Sequence, residues 1–105
     1  MPKRVDANQP EIVKALRDAG YSVQHLHTIG KGCPDILVGA GERTNILMEI
    51  KSGNAQLTPA EIDWHFYWRG QVCTVRSPEE ALTVMKSQIR EADYPEPKPF
   101  HECEV

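Results

Sequence analysis

Hydrophobic and polar positions along this chain follow two periods, and the switches between them mark its elements. Ile12, Val13 and Leu16 share one face at helical spacing within residues 10–19, where Pro10 suits a first helical turn and Gly20 a C-terminal cap. The period then becomes two. Tyr21, Val23, His25 and His27 alternate with Ser22, Gln24 and Leu26, which predicts a strand from Tyr21 to Thr28. Residues 28–34 form a Gly/Pro-punctuated loop, and residues 35–39 and 45–51 read as two strands joined by the short turn 40–43. Thr58-Pro59-Ala60-Glu61 is a capping-box start with proline at the first helical position, predicting a helix to about Arg69 that stops at Gly70. Residues 71–76 are rich in β-formers. Ser77-Pro78-Glu79-Glu80 repeats the start signal before a helix whose stripe is Ala81, Leu82, Met85 and Ile89.

The predicted order is therefore αβββαβα. The third strand, second helix and fourth strand make a crossover unit, which joins parallel neighbours, whereas the short turn before it makes an antiparallel hairpin. The expected fold class is α/β, a mixed four-stranded sheet with helices against it.

Composition narrows the functional classes. A chain of 105 residues, 40% apolar and 26% charged, is expected to form one small globular domain. The net charge of −3 is unevenly spread: residues 91–105 hold five acids and one base, and the remainder is close to neutral. The expected organisation is a domain over 1–90 and an acidic, Pro-rich, flexible tail over 91–105 (Pro95, Pro97, Pro99). No apolar run is long enough for a membrane span, and no secretory signal is expected. Cys33, Cys73 and Cys103 are odd in number and widely spaced, which argues against a disulfide framework and for a reducing, cytoplasmic setting. Nothing in the overall charge announces a nucleic-acid surface.

The chemistry concentrates in the hairpin. Side chains alternate faces along a strand, so Glu49 and Lys51 share a face with Leu47, opposite Ile46, Met48 and Ile50. A turn centred near Gly41 and Glu42 sets Asp35 opposite one of residues 48 to 50, and a register that pairs it with Glu49 places two carboxylates and a lysine together while Ile36 and Val38 join the apolar face. Burying unpaired charge is costly, and a Lys51 ion pair with one acid leaves the other unaccompanied. A divalent metal answers better: Mg²⁺ takes hard oxygen ligands, commonly one or two carboxylates plus substrate phosphate. Such a site suits phosphodiester hydrolysis, with the lysine placed where negative charge grows.

Pro34-Asp35 followed by Glu49-Ile50-Lys51 resembles the PD-(D/E)xK nuclease signature, and the surroundings resemble its VRR-NUC (virus-type replication-repair nuclease) branch. Gly30-Lys31-Gly32-Cys33-Pro34-Asp35-Ile36-Leu37-Val38-Gly39 is similar to that branch's G-x-PD approach, and Leu57-Thr58-Pro59-Ala60 to its L-[ST]-P-x-Q segment. Trp68-Arg69-Gly70-Gln71-Val72 also resembles small phage and bacterial members, so the likeness covers residues 10–90. It implies a restriction-endonuclease-like αβββαβα core and an Mg²⁺- or Mn²⁺-dependent DNA endonuclease. It also implies Asp35, Glu49 and the Ile50 backbone carbonyl as metal ligands, Lys51 as the catalytic lysine, and Glu11 as holder of a metal-bound water or second metal. From their charge alone Lys31 and Arg43 are candidates for phosphate contacts on the substrate side, with solvated surface cations as the plainer reading, and Glu61 is a further substrate-side candidate. The implied partners are DNA, including branched or flapped forms, a second copy of the chain in a homodimer, or a replication or repair protein.

The chain departs from the branch at Glu61, where Gln is usual. Glu61 is also the acidic member of the Thr58 capping box, and capping alone is the favoured expectation; a Glu beside the scissile phosphate would repel it. The opposing function is a catalytically weak or inactive nuclease-like module that binds nucleic acid or a protein partner. His25, His27 and Cys33, with His101 and Cys103, offer a weaker zinc reading whose spacing matches no strong pattern. Glu11 has a plain alternative as a helix-start acid or partner of Lys14. Trp64 and Trp68, at i and i+4, are expected to pack on the sheet; a stacking platform for an unpaired base, or a subunit contact, is the less favoured reading.

Overall fold

In the computed structural model, residues 6–41 and 44–88 are described. The order is α1 (Gln9–Asp18), β1 (Ser22–His25), β2 (Ile36–Gly39), β3 (Asn45–Ile50), α2 (Pro59–Tyr67), β4 (Val72–Val75) and α3 (Pro78–Gln88). Element for element this is the expected αβββαβα, in an α/β domain with a mixed four-stranded sheet. The sheet runs β1-β2-β3-β4; β1–β2 and β2–β3 are antiparallel and β3–β4 is parallel.

Boundaries differ from expectation where alternation outran pairing. The first strand ends at His25, not Thr28, because β1 pairs with β2 only from Ser22 against Gly39 to His25 against Ile36, and residues 27–29 turn away. Helix α2 ends at Tyr67 with Trp68 in an extended conformation (ψ 129), two residues before the expected stop. Ile89 and the 91–105 tail lie outside the described residues.

The core occupies one side of the sheet. Ile12, Val13 and Leu16 of α1 and Ala81 and Met85 of α3 bury against Ile36, Val38, Ile46, Met48, Ile50 and Val75. Each fully buried aliphatic side chain of this kind contributes about 1.5–3 kcal/mol. The start of α2 is capped as written in the sequence. Thr58 Oγ1 accepts from Glu61 N–H at 3.2 Å, and Glu61 Oε1 accepts from Thr58 N–H at 2.8 Å. At α3 only half the box forms: Ser77 Oγ accepts from Glu80 N–H, while the Glu80 carboxylate accepts from Arg76 N–H.

Candidate functional site

The opposite side of the sheet holds the charged residues. Ile36 pairs with Met48, and that register carried one residue further sets Asp35 against Glu49. The join is closed by two bonds: Asp35 N–H donates to Met48 O at 3.0 Å, and Ile50 N–H donates to Asp35 Oδ2 at 2.6 Å. Strand alternation then turns Glu49 and Lys51 to the same face. Lys51 Nζ lies 3.9 Å from Glu49 Oε2 and 2.7 Å from Glu61 Oε1. Asp35, Glu49, Lys51 and Glu61 are all buried, none more than 7% exposed. Two carboxylates thus flank one ammonium, and the buried Asp35 lies across the pair from Glu49.

The Glu61 expectation needs correction. Its carboxylate caps α2 and simultaneously holds Lys51, so it is a member of the charged cluster and not a cap alone. Oε1 can serve both because the capped end of α2 sits over the exit of β3. The backbone contact that fixes this position is Gly32, at φ +82: a Cβ there would stand 2.3 Å from Ala60 O. The 30–33 loop is therefore pressed onto the first turn of α2, and only glycine permits the approach.

Asn8 was not marked by any motif or spacing along the chain. Instead of capping α1, its side chain ties the ends of two strands together: Nδ2 donates to Lys51 O at 3.1 Å and to Arg76 O at 3.0 Å, and Oδ1 accepts from Ser52 Oγ at 3.0 Å. Asn8 thereby fixes the backbone of Lys51. An Asn immediately before a helix would ordinarily be read as its cap.

Other expected residues do not converge. Glu11 is exposed on α1, and no group of three or more His, Cys, Asp or Glu side chains able to hold a metal ion occurs among the described residues. Glu11 is therefore not joined to Asp35 and Glu49 in a three-ligand set. The same finding removes the zinc reading from the described residues. His25 and His27 meet edge to face at 5.7 Å, His25 Nδ1 is bonded to Gln9 Nε2 at 3.2 Å, and Cys33 is simply buried. His101 and Cys103 lie outside the described residues, as does Arg43. Lys31 is exposed beside α2. Trp64 and Trp68 stack on each other at 4.6 Å and belong to no part of the core, contrary to the expected packing on the sheet.

Asp35 and Glu49 supply the hard anionic oxygens that Mg²⁺ or Mn²⁺ selects, on adjacent strands held in register by the Ile50 N–H bond to Asp35. By their chemistry those two donors, with the neighbouring Ile50 carbonyl, would suit a divalent cation. Comparison with known proteins returned no matching family model, no matching curated protein and no matching solved structure. No helix among the described residues is long and apolar enough to cross a membrane.

Proposed function

We propose that this chain is a metal-dependent deoxyribonuclease of the restriction-endonuclease-like fold, resembling the VRR-NUC branch of the PD-(D/E)xK nucleases. The observation that carries the reading is the burial of Asp35, Glu49 and Lys51 on one side of the β2–β3 pair, opposite the apolar core. The αβββαβα order and the parallel β3–β4 pair support it as the expected frame.

Asp35 and Glu49, with the Ile50 carbonyl, would hold Mg²⁺ or Mn²⁺, which supplies polarisation of a phosphoryl oxygen and acidification of water. Lys51 places its ammonium within 3.9 Å of Glu49, where it stabilises negative charge developing on a phosphate. Ile50 N–H steadies Asp35, and Asn8 steadies the backbone of Lys51. DNA would be the substrate, with branched or flapped forms included. A second copy of the chain, or a replication or repair protein, would complete the grip of so small a domain, in a cytoplasmic setting.

One observation favours the second reading, a nuclease-like module that binds without cutting. Glu61 holds Lys51 Nζ at 2.7 Å, closer than Glu49 does, and adds a negative charge where a phosphate would come. The two readings part on incubation of the protein with labelled linear, nicked and branched DNA in Mg²⁺, Mn²⁺ or EDTA. Cleavage in either metal that EDTA stops is the expected result. Retention of DNA without cleavage in both metals would establish the binding module instead.

A further inference from the structure

A groove of about 460 Å³ runs along the outer side of α2, lined by Lys31, Ala60, Asp63, Trp64, Tyr67 and Trp68. Its aromatic rings lie outside the hydrophobic core, Trp64 half-buried and Tyr67 and Trp68 exposed. Trp64 and Trp68 stack ring on ring, 21° from parallel, outside the core, and Tyr67 is 75% exposed with Phe66 edge-on to it at 5.0 Å. Large aromatic faces left in water mark contact surfaces more often than structural ones. Lys31 is the only non-glycine among the described residues with positive φ (56°), held between Gly30 at 72° and Gly32 at 82°. Three successive left-handed residues carry the cation to the rim of the groove, and such strain clusters at functional positions.

The groove adjoins the charged cluster along two paths. Gly32 is pressed against Ala60, and the chain reaches Asp35 three residues later. On the helix side, the residue after Ala60 is Glu61, which holds Lys51. We propose that this groove is a subsite for an unpaired nucleobase of a single-stranded DNA segment. The base lies against the exposed aromatic rings, and Lys31 meets the adjoining phosphate. Its meaning as a substrate subsite rests on the nuclease reading; its occupancy does not. Every base has a flat π-face that an aromatic ring can stack on, whereas a paired duplex offers none in its interior. The ammonium of Lys31 complements a backbone phosphate. Asp63 adds a preference: its carboxylate accepts from an exocyclic amine, which cytosine carries and thymine lacks.

Trp64 and Trp68 are the only tryptophans of the chain, so its intrinsic tryptophan fluorescence reports on this groove alone. The full chain is titrated in EDTA, where no metal-dependent cleavage occurs, with short oligo(dC), oligo(dT), an abasic strand of equal length and a blunt duplex. Saturable quenching by oligo(dC) is expected, with oligo(dT) weaker and the abasic strand weaker by about tenfold or more. Tyr67→Ala, at an exposed position, is expected to weaken oligo(dC) binding by about 5- to 30-fold at an unchanged melting temperature. Equal affinity for abasic and oligo(dC) strands would overturn the base site and leave a phosphate contact only. So would a self-associated protein that Tyr67→Ala dissociates and oligo(dC) leaves intact, since the rings would then serve a second copy of the chain. Base-dependent quenching without cleavage in Mg²⁺ or Mn²⁺ would refute the nuclease reading and keep the subsite. Metal-dependent cleavage without base-dependent quenching would do the reverse.

Discussion

Lys51 sits between two carboxylates at unequal distances, 2.7 Å from Glu61 and 3.9 Å from Glu49, and that inequality governs what single substitutions should do. Lys51→Ala removes the ammonium that lies against both acids and should cost about 3–5 kcal/mol, as breaking a buried pair from one side does. Glu61→Gln is milder. A glutamine oxygen can still cap Thr58 N–H and still accept from Lys51, so chemical denaturation should register a loss of no more than about 1–2 kcal/mol. The same change releases Lys51 from its nearer charge and removes a repulsion from an incoming phosphate. Cleavage should therefore rise several-fold in Glu61→Gln, more at low salt where the repulsion is less screened. Capping alone would leave the rate unmoved. The Lys51→Ala/Glu61→Gln double variant should be less destabilised than the sum of its parts, because the two groups share one interaction.

At the scale of elements, the position of α2 depends on the 30–33 loop. Gly32→Ala would drive a Cβ into the Ala60 carbonyl and force a side chain onto a left-handed backbone. It should cost roughly 2 kcal/mol or more and displace Glu61 from Lys51. At Lys31 the logic reverses: Lys31→Gly suits the φ of 56° and should leave stability unchanged or higher while weakening single-strand binding. Strand β4 carries a pH signature. Burial pushes the Cys73 thiol from 9.0 to about 11, so the thiolate forms more readily in the unfolded chain than in the folded one. Stability should be full below pH 9 and fall as the pH rises from 9 toward 11, and Cys73→Ala should flatten that part of the urea-midpoint profile.

Across the whole molecule, what was legible followed from alternation and helix-start chemistry. The β2–β3 register was narrowed to a few residues by the turn, and of these only the pairing of Asp35 with Glu49 keeps both acids off the side filled by Ile36, Val38 and Met48, since a one-residue slip turns one strand over relative to the other. The parallel β3–β4 pair followed from the length of the crossover that contains α2. Glu61 was half legible: its spacing from Thr58 announced the cap, but its contact with Lys51 depends on how α2 sits over β3, which Gly32 and Ala60 decide. Asn8 was illegible because the carbonyls it tethers are 43 and 68 residues away. The aromatic residues of α2 were misplaced because i, i+4 spacing states that two rings are neighbours, not whether a sheet or water faces them.

The central claim is that Asp35 and Glu49 form a metal site for phosphodiester hydrolysis, and the most direct measurement is Mn²⁺-dependent cleavage of labelled DNA by wild type, Asp35→Asn and Glu49→Gln. The asparagine oxygen can keep the bond from Ile50 N–H, so the fold should survive, as circular dichroism and the melting temperature would show. Cleavage by the wild type, and its fall by at least about a hundredfold in both folded variants, is the predicted result. Undiminished cleavage by either folded variant would contradict the account.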